Sequence, residues 1–221
     1  MPRHFDDELA KFKEILLIMG SYAESSVSQA VQAVTDRNDQ LAELVQHNDD
    51  IMDRYEIDID DMAINLLAKA PLATDLRLIT VAMKISQNLE RIGDEATTIA
   101  RRALELNTEP QLKSYIDIPR MAGIALGLLR ESLDAFVNKQ PEKARAVVPR
   151  DKEVDALNRQ LYRELSSYMV ENPATISRCL NLMTVAKSLE RVADHAANIA
   201  EEVVYLCEAR DIRHEANKPL P

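Results

Sequence analysis

Apolar residues recur every three or four positions along most of the chain, which is the spacing of one face of an α-helix. Between residues 7 and 35 this apolar face consists of Leu9, Phe12, Leu16, Met19, Ala23, Val27, Ala30 and Val34. The same spacing predicts helices at about residues 40–70, 75–106, 118–138 and 175–210. A further helix is predicted from the KQPE break at residues 139–142 to residue 169. Polar or proline-containing breaks separate them, so the pattern predicts three long helices in each half of the chain.

Two stretches of the chain occur twice, in the same order. LERIGDEATTIA at residues 89–100 matches LERVADHAANIA at 189–200, and HNDDIMD at 47–53 corresponds to PRDKEVD at 149–155. The offsets of 100 and 102 residues indicate a duplicated unit. Because a single long helix cannot bury its own apolar face, each copy is expected to be an up-down-up bundle.

The predicted fold is therefore all-α, with two tandem, pseudo-symmetric three-helix bundles. The first bundle is expected over residues 1–108, the second over 109–215 and a tail over 216–221. Composition agrees with this fold, because hydrophobic residues make up 46% of the chain while only four glycines are available for turns.

Charge and cysteine usage narrow the classes of function. The formal net charge of -10 argues against a nucleic-acid partner, since phosphates are bound by clustered Lys and Arg. No apolar run approaches the roughly 20 residues that span a bilayer, and the polar N-terminal segment lacks the apolar core of a signal peptide. Cys179 and Cys207 have no paired-cysteine spacing and are expected to be reduced thiols. A cytoplasmic protein is the resulting expectation.

The duplicated stretches share pairs of acidic residues that lie four positions apart. The pairs are Asp49 with Asp53, Glu90 with Asp94, Asp151 with Asp155, and Glu190 with Asp194. Side chains at this spacing stack on one helical face, where like charges destabilise a helix unless a cation or an arginine offsets them. Two pairs on facing helices would gather four carboxylates, which suit Mg, Ca, Mn or Fe and, less well, Zn.

The acidic pattern alone is weak evidence for a metal site. With 37 acidic residues, chance supplies about three such pairs, so the duplication is what distinguishes these four. A further pair, Glu56 with Asp60, is set aside because the second copy has Asn158 and Tyr162 there. The alternative is that the carboxylates only form ion pairs or line a solvated face. The candidate ion-pair partners of these carboxylates are Arg54, Arg91, Lys152 and Arg191.

No catalytic motif accompanies the acidic pairs. The sequence contains neither a phosphate-binding glycine loop nor a nucleophile elbow, and His195 directly follows Asp194 without the Glu-x-x-His spacing of di-iron enzymes. A protein without enzymatic activity is therefore expected. Two other hypotheses stay open: a carboxylate-bridged metalloprotein that oxidises or stores iron or manganese, and a plain scaffold whose acidic pairs are solvated charge.

The doubled LER-x-x-D-x-A-x-x-IA signature resembles the PhoU family, as do PLATDLRLI at residues 71–79 and ENPATISR at 171–178. The resemblance covers about residues 6–214. It implies tandem three-helix bundles whose acidic pairs hold multinuclear iron, with Mn, Mg or Zn as other candidates. The implied ligands are Asp49, Asp53, Glu90 and Asp94 at a first site and Asp151, Asp155, Glu190 and Asp194 at a second.

The resemblance also implies a function. Members of the family act when phosphate is plentiful, as adaptors between the ATPase of the phosphate ABC transporter and a phosphate-sensing membrane histidine kinase. They repress the phosphate-starvation response, restrain phosphate uptake and often form homodimers, reaching the inner membrane only through partners. This chain departs from a symmetric pattern where Ala193 replaces Gly93 and where His195 replaces Glu95, so the two sites are expected to differ.

Overall fold

The computed structural model describes residues 2–69 and 72–212, and within these residues every regular element is helical. The eight α-helices are α1 (Pro2–Thr35), α2 (Asp39–His47), α3 (Asp50–Leu67), α4 (Ala73–Asn107), α5 (Asp117–Asn138), α6 (Pro141–Val147), α7 (Asp151–Glu171) and α8 (Ile176–Glu208). Helices α1 to α4 pack together, as do α5 to α8. The predicted all-α fold of two three-helix bundles is confirmed.

The middle helix of each bundle differs from the prediction. A continuous helix was expected over residues 40–70 and another from the KQPE break to 169, but each consists of two helices, α2 with α3 and α6 with α7. The other predicted helices agree to within two residues, except that α1 begins five residues earlier. The predicted helix end at residue 70, the break at 71 and the tail over 216–221 lie outside the described residues.

The two breaks differ in their surroundings. In the second bundle Pro149 lacks the N–H that a continuing helix needs, and Val148–Arg150 form a 3-10 turn before α7. In the first bundle α2 ends at Asn48, whose carbonyl oxygen accepts a hydrogen bond from the Tyr22 hydroxyl at 3.3 Å. Both breaks come immediately before a predicted metal ligand, so Asp49 and Asp151 stand at the N-terminal ends of α3 and α7.

The apolar face predicted for α1 is buried along its whole length. All eight of its residues are in the core, from Leu9 to Val34, and Phe12 and Leu16 have no exposed surface. Complete burial of such a side chain contributes about 1.5–3 kcal/mol to the stability of the fold. This apolar contact holds α1 against α3 and α4, and thereby positions the helices that carry the first set of acidic pairs.

The two bundles meet mainly along α4 and α8. Lys84 Nζ lies 3.1 Å from Glu202 Oε2, and Arg191 Nη1 lies 3.0 Å from Glu95 Oε1. Because residue numbers rise along α4 as they fall along α8, the two helices are antiparallel. The duplicated signatures at residues 89–100 and 189–200 therefore face one another across this interface.

Candidate metal centre

The first acidic cluster forms where α3 packs against α4. Asp49 and Asp53 lie at the start of α3, and Glu90 and Asp94 lie one turn apart on α4. Burial raises the pKa of Glu90 to about 7, and the nearby Asp94 contributes to this increase. The pKa of Asp94 is also raised, first by the partial burial of its carboxyl group and further by Asp49 and Asp53. The four predicted carboxylates therefore lie close enough to repel one another.

A guanidinium already offsets part of this charge. Arg91 Nε lies 3.3 Å from Glu90 Oε2, and Arg91 Nη1 lies 3.2 Å from Asp94 Oδ2. Asp49 has a partner of a different kind, because the hydroxyl of Thr97 donates a hydrogen bond to its Oδ1 at 2.7 Å. Arg91 thus lowers the pKa of Glu90 and of Asp94, against the larger effect of burial.

A fifth carboxylate belongs to this first cluster. Burial and the neighbouring Asp60, Asp53 and Asp94 raise the pKa of Glu56, and Glu56 in turn raises that of Glu90. Glu56 was not expected among the ligands, because the duplication does not reproduce it. The helical spacing from Asp53 to Glu56 is the signal that could have placed it on the same face of α3.

The second acidic cluster lies between α7 and α8. Asp151 begins α7, where the helix dipole favours negative charge, and Asp155 lies one turn further along the helix. On α8, burial raises the pKa of Asp194 to about 6, with further contributions from Glu190, Asp155 and Asp151. Burial, Glu190 and Asp151 likewise raise the pKa of Asp155. The structure therefore brings these four predicted ligands together as well.

The partners of the second cluster differ from those of the first. Lys187 forms an ion pair with Glu190, and the Asn158 side-chain amide donates a hydrogen bond to Glu190 Oε2 at 3.0 Å. Arg159 Nη1 lies 3.8 Å from Asp155 Oδ2. Asn158 stands at the duplicated position of Glu56, so an amide replaces a carboxylate here. Asp194 is half-buried, and the positive charge of Lys187 partly offsets the increase in its pKa.

Arg191 corresponds to Arg91 in the duplication but contacts a different partner. Its Nη1 lies 3.0 Å from Oε1 of the buried Glu95, across the interface between the bundles. The pseudo-symmetric partner for Arg91 would be His195, which carries no carboxylate and whose Nδ1 lies 2.9 Å from Asn88 Oδ1. Burial lowers the pKa of His195. Arg91 is therefore retained by the first cluster, whereas Arg191 is held away from the second.

The chemistry of both clusters fits a hard or borderline cation. Each presents only oxygen donors, and in both clusters neighbouring carboxylates add to the effect of burial in raising the pKa of Glu90 and of Asp194. In the part of the chain that the structure describes, no three His, Cys, Asp or Glu side chains converge closely enough to hold one ion. The side chains would have to turn towards one another to bind it, so metal binding stays a prediction.

The cysteines and the hydropathy of the helices were also the subject of predictions from the sequence. Both cysteines are free thiols, Cys179 buried and Cys207 half-buried. Among the described residues, no helix combines the length and the apolar character that crossing a membrane requires.

Sequence relatives match nearly the whole chain. The PhoU domain model matches residues 16–103 and 118–203, which include the carboxylates of both clusters. A protein from Pseudomonas aeruginosa, named a phosphate-specific transport system accessory protein PhoU homolog, is 40% identical over 96% of this chain and 88% of its own length. A protein of the same name from Pseudomonas putida is 39% identical over 99% of this chain and 86% of its own length.

Solved structures agree with this relationship. The crystal structure of PhoU from Pseudomonas aeruginosa superposes with a TM-score of 0.90 at 40% identity, covering 93% of this chain and 100% of that one. The phosphate transport system regulatory protein PhoU from Streptococcus pneumoniae superposes with a TM-score of 0.88 at 28% identity, covering 94% and 99%. Because the family model and these relatives match both bundles, the chain belongs to the PhoU family.

Proposed function

We propose that this protein is an accessory regulator of phosphate transport, which restrains phosphate uptake and represses phosphate-starvation genes when phosphate is plentiful. The observation that carries this proposal is the match along both bundles to relatives named phosphate-specific transport system accessory proteins. Those relatives match 96% and 99% of the chain. The role needs binding surfaces only, and no catalytic activity is proposed.

The regulator would act as an adaptor between the ATPase of the phosphate ABC transporter and a phosphate-sensing membrane histidine kinase. Such an adaptor needs a higher affinity for the kinase state that does not phosphorylate its response regulator. Shifting that kinase from 1:99 to 99:1 in favour of the silent state requires a preference of about 10⁴-fold. The protein would work in the cytoplasm as a homodimer and reach the membrane only through these partners.

Each acidic cluster would hold metal ions, iron foremost, with Mn, Mg or Zn as alternatives. The protein ligands would be Asp49, Asp53, Glu90 and Asp94 in the first cluster and Asp151, Asp155, Glu190 and Asp194 in the second. A bound cation supplies the positive charge that these carboxylates lack. Because the ligands come from two helices in each bundle, they would hold α3 against α4 and α7 against α8.

The regulatory role is tested with a reporter of phosphate-starvation genes in the native host, grown in phosphate-rich medium. We expect deletion of the gene to switch the reporter on and restoration to silence it. A reporter that does not respond to deletion would contradict the proposed role.

The metal sites are tested separately in the purified protein. Alanine at all four carboxylates of one cluster should remove the metal of that cluster and leave the other loaded, as measured by elemental analysis. Unchanged metal content in both four-alanine variants would overturn the metal assignment without affecting the regulatory role. Oxygen consumption by the Fe(II)-loaded protein would favour the alternative of a metalloprotein oxidase, which the paired carboxylates alone support.

A further inference from the structure

A cleft lies between the two bundles, away from both acidic clusters. It is formed by α1, the first turns of α4, the loop after α5 and the last turn of α8, and its volume is about 640 Å³. Asp75 and Leu78 on α4 line it, so about 12 residues, or roughly 18 Å of helix, separate it from Glu90. Its contents are therefore independent of the proposed metal sites.

Cations predominate around this cleft. Lys13, Arg77 and Lys139 line it, and the pKa of Lys13 is lowered by partial burial and then by the positive charge of Lys139. Among the described residues, neither lysine forms an ion pair. Of the two carboxylates that line the cleft, Glu208 is ion-paired with Arg145 and only Asp75 acts on Lys13. In a chain with a net charge of -10, this is a local excess of positive charge.

Lys139 corresponds to Arg37 in the duplication but does not make the same hydrogen bonds. Arg37 and Lys139, 102 residues apart, both follow a long helix and both have left-handed backbone angles, with φ of 55° and 50°. Arg37 Nη2 donates hydrogen bonds to Asn107 O at 2.8 Å and Glu109 O at 2.6 Å, which caps the end of α4. In the described residues the Lys139 ammonium donates no corresponding bond to the end of α8. It is left facing the cleft instead.

The floor of the cleft is apolar. Leu9, Leu78 and Leu206 line it from three different helices, and each is at most 9% exposed. A volume of 640 Å³ lies within the range of about 300–1,000 Å³ that is typical of small-molecule sites. Such a site favours a ligand with an apolar body and a charged end over a bare inorganic ion.

We propose that this cleft binds a small organic phosphate, with its phosphoryl group between Lys13 and Lys139 and its organic part against Leu78 and Leu206. A phosphate monoester carries a charge of about -1.5 to -2 at pH 7, which matches two ammonium groups better than a single carboxylate does. The three phosphoryl oxygens accept charge-assisted hydrogen bonds from both lysines.

Isothermal titration calorimetry of the full chain tests this site with three matched probes: phenyl phosphate, inorganic phosphate and phenol. We expect phenyl phosphate to bind with a dissociation constant below about 1 mM, inorganic phosphate at least about tenfold more weakly and phenol not measurably. Lys13→Ala and Lys139→Ala should each weaken phenyl phosphate binding about tenfold, the value of one charge-assisted hydrogen bond.

Lys143→Ala is the control. Lys143 lies four residues after Lys139 and is ion-paired with Asp134, so this substitution removes the same charge from a lysine that does not line the cleft. It should leave the affinity unchanged, and melting temperatures of all variants establish that they fold. Equal binding of phenyl phosphate by wild type and the K13A/K139A variant would overturn the proposal. So would the absence of binding, or equal affinity for inorganic and phenyl phosphate.

Discussion

The two acidic clusters occupy duplicated positions but have different surroundings. Three of the four predicted ligands of the first cluster are exposed, whereas all four of the second are half-buried. Glu56 adds a fifth carboxylate to the first cluster, where the second has the amide of Asn158. Arg91 contacts two carboxylates of the first cluster, while Arg191 pairs with Glu95 instead of the second.

One duplicated position accounts for the different roles of the two arginines. Glu95 attracts Arg191 across the interface between α4 and α8, but His195, at the corresponding position, offers Arg91 no carboxylate. A guanidinium in close contact with a carboxylate cluster competes with any metal ion for the same oxygens. Arg91 makes two such contacts with the first cluster, at 3.3 and 3.2 Å, whereas Arg159 approaches the second cluster only at 3.8 Å from Asp155. A residue outside an acidic cluster can therefore change the net charge of that cluster by attracting an arginine away from it. We accordingly expect tighter metal binding at the second cluster.

The largest expected effect concerns the packing beneath the clusters. A Cβ added at Gly93 would lie 2.8 Å from Met52 Cγ, whereas the second copy has Ala193 with Val154 at the position of Met52. Gly93→Ala should therefore lower the free energy of unfolding by about 2 kcal/mol, as overpacked core substitutions do. Chemical denaturation measures this loss, and the G93A/M52V variant should recover most of it.

Gly123→Ala is the matched control for that prediction. Gly123 is also inside a helix, but a Cβ there meets nothing within 4 Å. This substitution should stabilise the protein by up to about 1 kcal/mol, because alanine is the better helix former. A loss of stability at Gly123 equal to that at Gly93 would show that packing against Met52 is not the cause.

A smaller effect is expected from Glu95→His, which makes the first copy like the second. Arg191 would lose its partner and become available to Glu190 and Asp194. We expect the affinity of the second cluster for Mn²⁺ to fall about tenfold, since each charge-assisted hydrogen bond contributes about 1.5 kcal/mol. Titration of a variant whose first cluster is replaced by alanine isolates this affinity. An unchanged Mn²⁺ affinity would mean that Glu95 does not cause the difference between the two clusters.

The reverse substitution, His195→Glu, should act on the first cluster. The new carboxylate would attract Arg91 away from Glu90 and Asp94, and the affinity of this cluster for Mn²⁺ should rise about fivefold. The gain is smaller than tenfold because this cluster is more exposed, so its ion pairs are more strongly screened by water. The E95H/H195E variant should exchange the Mn²⁺ affinities of the two clusters. If the second cluster still binds Mn²⁺ more tightly in this variant, residues 95 and 195 do not cause the difference between the clusters.

The smallest expected effect is the pH dependence of stability in metal-free protein. The pKa values of Glu90, about 7, and Asp194, about 6, are raised above their ordinary values of 4.5 and 3.8. Each acid therefore contributes stability that is complete below its ordinary pKa and is lost as pH rises through its raised pKa. The melting temperature should fall by about 2–4 °C over each interval, corresponding to roughly 1 kcal/mol after screening.

Neutral substitutions assign these two intervals. Glu90→Gln should weaken the dependence between pH 4.5 and 7, and Asp194→Asn the dependence between 3.8 and 6. The part that remains in each variant comes from Glu56, Asp94 and Asp155, whose pKa values are also raised. Calorimetry in the presence of a chelator measures both. A pH profile that neither substitution alters would mean that these carboxylates are not under strain in the metal-free fold.

The sequence by itself determined the positions of most helices and singled out eight candidate ligands. Helical spacing is a local property, so the apolar face of α1 and the ends of α4, α5 and α8 could be predicted from neighbouring residues. The repeat at offsets of 100 and 102 identified the bundles and separated eight carboxylates from the other acidic residues. What is repeated along the chain could be recognised there.

Only the tertiary structure decided which partners these residues have. The Asn48 carbonyl at the helix break accepts a hydrogen bond from Tyr22 of another helix, and Glu56 joins the first cluster through charged neighbours, among them Asp94 of α4. The pairing of Arg191 with Glu95 joins residues 96 positions apart. Such contacts depend on how α4 packs against α8, and spacing along a single helix contains no information about the helix that faces it.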